Sequence, residues 1–179
     1  SCGARIGEIN TLRRQLDRVK GGGLARATKA KVVSLILSDV IGNPLEAIAS
    51  GPTFPNPTTG EDALRILRKY GIEKQVSESV TRHIHHVTLR EQSDRRVFST
   101  MERLLAALEV TNIIIGDNRV AAVAAMEQAR REGFEAEILT NELQGEAREA
   151  GKMLAERLKN ELLRRNRPFC LIAGGETTV

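Results

Sequence analysis

Three predicted strands end in polar residues that could bind or activate a ligand. Asp39 follows the apolar stretch 31–37, Asn118 follows a second stretch at 110–115, and Gly-Gly-Glu-Thr-Thr at 174–178 follows a third. In open α/β sheets, ligands bind outside the carboxyl ends of the strands. Asp39 could bind a metal ion or accept a proton from a substrate hydroxyl, and it could equally cap a turn. The glycines, carboxylate and hydroxyls of the last segment suit nucleotide phosphate or magnesium.

Two glycine-containing segments nearer the N-terminus could approach an anion. Lys20 precedes three glycines, so its ammonium group could bind phosphate or carboxylate, or favourably offset the dipole at a helix C-terminus. The segment 49–53 (Ala-Ser-Gly-Pro-Thr) combines an accessible backbone with two hydroxyls, although a simple turn has the same sequence. Asp117 or Asn118 is placed to cap the helix that follows, and a helix N-terminus also attracts anions.

Hydrophobic periodicity predicts an alternation of helices and strands that would position these residues. The predicted helices are 5–19, 24–28, 60–70, 77–86, 119–131 and 145–165, and the predicted strands are 31–37, 110–115, 134–139 and 168–173. The first strand is almost continuously apolar, which predicts burial on both faces. Residues 87–100 are polar and aperiodic, which predicts an exposed loop. The fold class expected is α/β, a Rossmann-like three-layer sandwich whose mostly parallel sheet is flanked by helices.

The composition argues against a membrane-spanning protein and against a nucleic-acid-binding protein. No apolar run approaches the roughly 20 residues that span a bilayer, so no membrane is expected. The net charge of +4 is spread among mixed charges without interleaved aromatics, which argues against nucleic acid. Two isolated cysteines favour a cytoplasmic location, and Cys170 is expected to be a buried thiol. His83, His85 and His86 are interpreted as a solvated helix end, because no acidic or cysteine partner lies at ligand spacing.

Two common nucleotide-binding motifs are absent from the sequence. It contains neither the G-x-x-x-x-G-K-[ST] phosphate loop nor a G-x-G-x-x-G fingerprint after a strand. This disfavours ordinary P-loop kinases and standard Rossmann dehydrogenases.

The order and spacing of several segments nevertheless resemble the glycerate 2-kinase family, whose members also carry the description hydroxypyruvate reductase. The segments are 8–14 (EINTLRR), 19–25 (VKGGGLA), 32–40 (VVSLILSDV), 48–53 (IASGPT), 114–118 (IIGDN), 144–147 (QGEA) and 174–179 (GGETTV). The resemblance covers nearly the whole chain, and residues 87–99 are the part left unmatched and without an assigned role.

The resemblance implies an enzyme that transfers the γ-phosphoryl group of ATP to D-glycerate in the presence of Mg²⁺, giving 2-phosphoglycerate. Phosphoryl transfer depends mainly on positioning and charge neutralisation. On this basis Lys20 and Asp39 are the expected catalytic residues, and Asp39 and Glu176 the expected metal ligands. Asn10 and Arg13 are expected to bind the substrate. The residues expected to bind the nucleotide are Ser50, Gly51, Thr53, Asn118, Gly174, Gly175, Glu176 and Thr177.

Family members begin earlier and continue further, so the sequence is expected to be an internal fragment. Residues 1–179 would then be a single α/β domain or part of one, namely the N-terminal nucleotide- and substrate-binding domain truncated at both ends and inactive alone. Its expected partners are the missing portions of the same enzyme, and further copies of the chain are also candidates. Two alternatives remain open at this point: an NAD(P)H-dependent hydroxypyruvate reductase and a non-catalytic nucleotide-binding module.

Overall fold

Helices and strands follow one another in the predicted order. The computed structural model describes residues 2–93 and 109–178. The helices are α1 (Ile6–Leu16), α2 (Gly23–Arg26), α3 (Gly60–Lys69), α4 (Glu78–Ser93), α5 (Asn118–Arg131) and α6 (Ala147–Leu162), and a short 3-10 helix lies at Ile48–Ser50. The strands are β1 (Val32–Leu37), β2 (Val110–Gly116), β3 (Glu135–Leu143) and β4 (Phe169–Gly175). The prediction of a mixed α/β chain is confirmed.

The strands pair as β1 with β2 and β3 with β4. Strands β3 and β4 are parallel, in a register that runs from Glu135 opposite Phe169 to Leu143 opposite Gly175. Parallel neighbours need a long crossover connection, and α6 lies in the connection between these two strands. This is the βαβ arrangement that the alternating pattern predicts.

The chain divides into two compact units. The first unit consists of Ser1–Ser34 and Leu45–Ile113, and the second of Leu35–Pro44 and Ile114–Val179. The core of the first unit lies where α3 contacts α4 and where both contact α1. Its fully buried side chains are Ala63, Leu64, Leu67 and Ile84.

The second unit is built on the β3–β4 pair, against which α5 packs. Arg165, just beyond α6, donates a hydrogen bond from Nε to Glu161 (2.7 Å) and another from a terminal nitrogen to Glu137 of β3 (2.6 Å). The same guanidinium lies over the ring of Phe169, 5.5 Å from its centroid. These contacts hold the C-terminal end of α6 against the start of both strands.

Helix α4 is longer than predicted. It runs to Ser93, so the prediction that it ends near His86 and that residues 87–93 form a loop is wrong. Ile84 and Thr88 are buried one turn apart, and the carboxylate of Glu91 accepts a hydrogen bond from the backbone N–H of Gly60 at 2.8 Å. These contacts with the start of α3 stabilise a polar segment that local periodicity does not identify as helical. The rest of the predicted loop, 94–100, lies outside the described residues.

Two burial predictions are also wrong. In β1, the side chains of Val33, Leu35 and Leu37 are exposed, and Leu37 reaches 76% exposure. Successive side chains of a strand point to opposite faces, and within residues 2–93 and 109–178 only the face of Val32, Ser34 and Ile36 is partly covered. Cys170, expected to be buried, is half-buried, and its thiol is free.

Glu8 joins the start of α1 to the end of α3. Its carboxylate accepts hydrogen bonds from the Lys69 ammonium (2.6 Å), the Tyr70 hydroxyl (2.6 Å) and the Arg5 backbone N–H (2.9 Å). These bonds, with that of Lys69 the largest, lower the pKa of Glu8 to about 2. The carboxylate therefore stays ionised in the folded protein at acid pH values where it would be protonated in the unfolded chain.

We expect Glu8→Gln to destabilise the protein at neutral pH and to lose that effect in acid. A carboxyl group whose pKa is lowered on folding contributes stability above its usual pKa of 4.5, and this contribution disappears as the pH falls through about 2. The urea midpoints of wild type and variant should therefore differ at pH 7 and converge near pH 2. Glu78→Gln is the control, since within residues 2–93 and 109–178 Glu78 pairs only with exposed Arg82, one turn along α4. A difference that persists undiminished at pH 2 would contradict the assignment.

Candidate functional site

The two glycine-containing segments of the first unit bind each other. The backbone N–H of Gly21 donates to the carbonyl of Ser50 at 3.0 Å, and that of Gly22 donates to the carbonyl of Gly51 at 2.8 Å. A Cβ atom added at Gly21 would lie 2.8 Å from the Cβ of Asn56, so this position has no room for a side chain. Tight packing between the two segments therefore accounts for part of the glycine pattern without any ligand.

Asn10 connects two other predicted site residues, Ser50 and Arg13. It is buried in α1, and its side-chain oxygen accepts hydrogen bonds from the Ser50 hydroxyl (3.0 Å) and the Arg13 guanidinium (3.2 Å). A buried amide oxygen with two donors is fixed in orientation. This contact orients Arg13 and anchors the segment that pairs with the glycines.

The segment around Ser50 has an unusual backbone. Ala49, Ser50 and Gly51 are consecutive, and all have positive φ angles, of 51°, 62° and 64°. Non-glycine residues in this left-handed region each cost about 1 kcal/mol or more, and such strain concentrates at functional sites. The bonds to Gly21, Gly22 and Asn10 supply the contacts that hold the strained conformation.

Thr53 sits in a polar cluster that joins two strands of the first unit. Its hydroxyl donates to the side-chain oxygen of Asn112 in β2 and lies 3.0 Å from the hydroxyl of Ser34 in β1. The Asn112 amide also donates to the Thr53 carbonyl at 3.3 Å. Ser34 and Asn112 were not predicted as site residues. The signal for both was present in the sequence, because each is a polar residue within an apolar strand.

Lys20 lies at the start of the paired glycines. Its ammonium group is 3.4 Å from the carboxylate of Asp17, and its side chain is 28% exposed. Asp17 also accepts hydrogen bonds from the backbone N–H groups of Val19 (2.7 Å) and Lys20 (3.4 Å). These bonds, that of Val19 first, lower the pKa of Asp17. Asp17 thus orders the turn that displays Lys20, and the sequence did not identify it as a site residue.

The second unit brings together residues from three predicted strand ends. The Asn118 amide donates to the backbone carbonyl of Asp39 at 3.2 Å. A Cβ atom at Gly174 would lie 3.6 Å from the Cβ of Asn118 and 3.8 Å from the Cα of Asn141. Asp39, Asn118 and Gly174 therefore lie side by side near the ends of β1, β2 and β4. Asn141 was missed, and its side-chain oxygen is buried without a hydrogen-bond partner among the described residues.

Asp117, rather than Asn118, caps α5. Its carboxylate accepts hydrogen bonds from the Val120 backbone N–H (2.8 Å) and from the Asn43 side chain (2.9 Å). These two bonds, in that order of size, lower the pKa of Asp117. Because Asp117 provides the cap, the side-chain amide of Asn118 can donate to the backbone carbonyl of Asp39. Asn43 was not predicted, although Gly42-Asn43 in a proline-containing loop is a turn signature.

Asp39 and Glu176 carry the carboxylates of the second unit that were predicted to bind metal. Both residues are exposed, and neither forms an ion pair within the described part of the chain. The backbone N–H of Glu176 donates to the Leu143 carbonyl at 2.9 Å. Gly175 passes so close to Leu143 that an added Cβ would lie 2.8 Å from the carbonyl carbon. Thr177 follows and is half-buried.

The three histidines of α4 do not form a metal centre in the structure. His83, His85 and His86 are exposed in the middle of the helix, and Nε2 of His83 lies 3.0 Å from the Gln15 carbonyl. Across residues 2–93 and 109–178, no group of three His, Cys, Asp or Glu side chains is arranged to hold a metal ion. In the same residues, no helix has the length and apolar character needed to cross a membrane.

Comparison with known proteins gives consistent results. Residues 1–85 match a domain of unknown function, DUF4147. The chain is 45% identical to a glycerate 2-kinase of Pyrococcus horikoshii and 44% identical to a D-glycerate 2-kinase of Thermotoga maritima. Each alignment covers 99% of this chain and 39% of the relative. The crystal structure of glycerate kinase from Thermotoga maritima matches with a TM-score of 0.74 at 43% identity, covering 99% of this chain and 40% of that one.

The matches cover almost all of this chain but less than half of each relative. The chain spans about two fifths of the length of the relatives it matches, and the matches in sequence and in structure each cover 99% of the chain. The two units described above thus correspond to part of larger proteins. Over nearly its whole length, the chain is therefore similar in sequence and structure to glycerate 2-kinases.

Proposed function

We propose that the chain forms part of a D-glycerate 2-kinase, which transfers the γ-phosphoryl group of ATP to the 2-hydroxyl of D-glycerate. The observation that carries this proposal is the 44% identity to a D-glycerate 2-kinase over 99% of the chain. The geometry supports it: Asp39, Asn118 and Gly174 meet at strand ends in the second unit, and the Lys20 turn is bonded to the Ser50 segment in the first.

In the proposed reaction, the 2-hydroxyl oxygen of D-glycerate bonds to the γ-phosphorus of ATP. The bond between that phosphorus and the β,γ-bridging oxygen breaks, so the products are 2-phosphoglycerate and ADP. The hydroxyl proton passes to the carboxylate of Asp39, which is exposed and forms no ion pair among the described residues. Catalysis of this kind consists mostly of positioning the two substrates and stabilising charge.

The remaining proposed roles follow from charge and hydrogen bonding. Arg13, oriented by Asn10, binds the glycerate carboxylate, and Lys20 neutralises charge on the transferred phosphoryl group. In the second unit, Asn118, Gly174, Gly175, Glu176 and Thr177 bind the nucleotide. Ser50, Gly51 and Thr53 contribute on the nucleotide side chiefly by shaping their loop, because both hydroxyls are buried and already hydrogen-bonded within the protein.

Asp39 and Glu176 are the residues that would hold a magnesium ion. Mg²⁺ in phosphoryl-transfer sites is usually held by one or two carboxylates together with the phosphates of the substrate. Asp39 and Glu176 offer two exposed carboxylates of this kind in one unit. When bound, the ion would neutralise charge on the phosphate oxygens.

The proposal extends to the architecture and setting of the protein. Residues 1–179 would form one α/β domain or part of one, with a Rossmann-like three-layer arrangement and a mostly parallel sheet. They would act in the cytoplasm with the rest of the enzyme, and further copies of the chain are candidate partners. The comparisons give no support to a hydroxypyruvate reductase or to a non-catalytic nucleotide-binding module.

Product analysis tests the proposal directly. The native protein should convert Mg-ATP and D-glycerate to ADP and 2-phosphoglycerate, followed by ³¹P NMR, which distinguishes the 2-phosphate from the 3-phosphate. Isothermal calorimetry should show saturable binding of Mg-ATP. The parallel assay is NADH oxidation with hydroxypyruvate. Oxidation of NADH without any new phosphate-ester resonance would reject the kinase in favour of the reductase.

A further inference from the structure

A cavity of about 460 Å³ lies entirely within the first unit. It is bounded by the end of α1, the turn into α2, the loop before α3 and the second half of α4. Its charged lining residues are Arg14, Asp17, Arg18, Arg26, Arg90 and Glu91. None of the residues assigned to the proposed kinase reaction lines it. The volume is in the range of small-molecule sites.

The lining carries an excess of positive charge. It contains four arginines and two carboxylates, which leaves a net charge of +2 with His83 neutral. Both carboxylates are engaged elsewhere. Asp17 binds Lys20 and its own turn, and Glu91 accepts the N–H of Gly60, so neither is recorded in an ion pair with an arginine of the lining among the described residues.

None of the four arginines forms an ion pair within the described part of the chain. Arg14 donates to the Glu46 carbonyl at 2.9 Å and serves to hold α1 to that loop. Arg18, Arg26 and Arg90 form no ion pair within residues 2–93 and 109–178. They come from three separate segments, namely the residues after α1, the end of α2 and α4. All three are exposed and line the same cavity, so an anion bound there would be attracted by more than one guanidinium group.

From this charge and shape we infer that the cavity binds the phosphate group of a small phosphate monoester. A guanidinium presents paired N–H donors that match phosphate and carboxylate oxygens, and three such groups around a net charge of +2 favour the dianionic phosphate. Leu16 and Val87 add apolar side chains to the lining, which suits an ester with an apolar body over the free anion. The inference rests on the first unit alone and does not depend on the proposed kinase reaction.

The test follows backbone amide resonances of the native protein during ligand titration. Phenyl phosphate is the probe, and inorganic phosphate and acetate are compared with it at constant ionic strength. We expect saturable shifts at Gly21, Asn56 and Val87, with phenyl phosphate binding most tightly and acetate most weakly. Asn56 and Val87 line the cavity and have no role in the proposed kinase reaction, so their shifts report this site, whereas a shift at Gly21 alone, next to Lys20, does not.

Substitutions of the unpaired arginines complete the test. Arg90→Gln and Arg18→Gln should each weaken phenyl phosphate binding about tenfold, as expected for loss of a charge-assisted hydrogen bond. Arg82→Gln removes the same charge from α4 outside the cavity and should leave binding unchanged. Unsaturable shifts, acetate binding as tight as phenyl phosphate, or wild-type affinity in both cavity variants would overturn the inference. Equal affinity for inorganic phosphate and phenyl phosphate would overturn the inference that the ligand is an ester, and would indicate that the cavity binds free phosphate.

Discussion

Replacing Asp39 by asparagine should lower kcat for D-glycerate phosphorylation by a factor of about 10² to 10⁴, the usual contribution of a general base or acid. The substitution keeps the size of the side chain and removes only its ability to accept the hydroxyl proton or to bind a cation. Asp39 makes its described contact with Asn118 through its backbone carbonyl, which asparagine retains. Steady-state assays that couple ADP release to a spectrophotometric signal measure the change.

Several controls make the Asp39 result specific. Surface substitutions outside special features change stability by less than about 0.5 kcal/mol, so the melting temperature of Asp39→Asn should stay close to that of wild type. Glu156→Gln removes another exposed carboxylate of the second unit, on α6, and should leave kcat unchanged. If the Asp39 carboxylate binds Mg²⁺, the Mg²⁺ concentration that gives half-maximal activity will also be higher for Asp39→Asn than for wild type. Activity within about threefold of wild type would remove Asp39 from the proposed mechanism, since general acid–base groups contribute far more than that.

The elements that sequence predicts best are those whose local pattern matches their final environment. Helix α5 begins at Asn118 and ends at Arg131, one residue from the predicted start, because a capping aspartate and a glycine mark its two ends. Helix α4 shows the opposite case. Its last two turns are held by Thr88 and Glu91 against the start of α3, and such a tertiary contact leaves no trace in local periodicity.

The candidate site was only partly predictable for the same reason. Residue type identified Asp39 and Asn118, and their positions after two predicted strands indicated that they lie together, as the bond from the Asn118 amide to the Asp39 carbonyl shows. The glycine segments had been interpreted separately, whereas Gly21 and Gly22 in fact bind Ser50 and Gly51 across about thirty residues of sequence. The arginine-lined cavity depends on three segments folding toward each other, and no spacing along the chain encodes that.

A substitution in the glycine segment 21–23 should have a large effect on the stability of the protein, as the substitution of Asp39 should have on kcat. Gly23→Ala should reduce the free energy of unfolding by about 3 kcal/mol, the upper range for inserting a methyl group into occupied space. The new Cβ would lie 2.7 Å from the carbonyl carbon of Arg18 and closer still to its oxygen. These are backbone atoms of the turn that also places Lys20, so they cannot yield as a flexible side chain would. Urea denaturation followed by circular dichroism measures the loss.

Gly7→Ala provides the matched control in the same unit. Gly7 lies in α1, and a Cβ added there would meet nothing within 4 Å. Alanine is favoured over glycine in helices by up to about 1 kcal/mol, so this variant should be as stable as wild type or slightly more stable. Equal stability of Gly23→Ala and Gly7→Ala would mean that the turn between α1 and α2 relaxes freely. The glycines after Lys20 would then have to be explained by close approach of a ligand to the backbone, and not by the packing that joins this turn to the Ser50 segment.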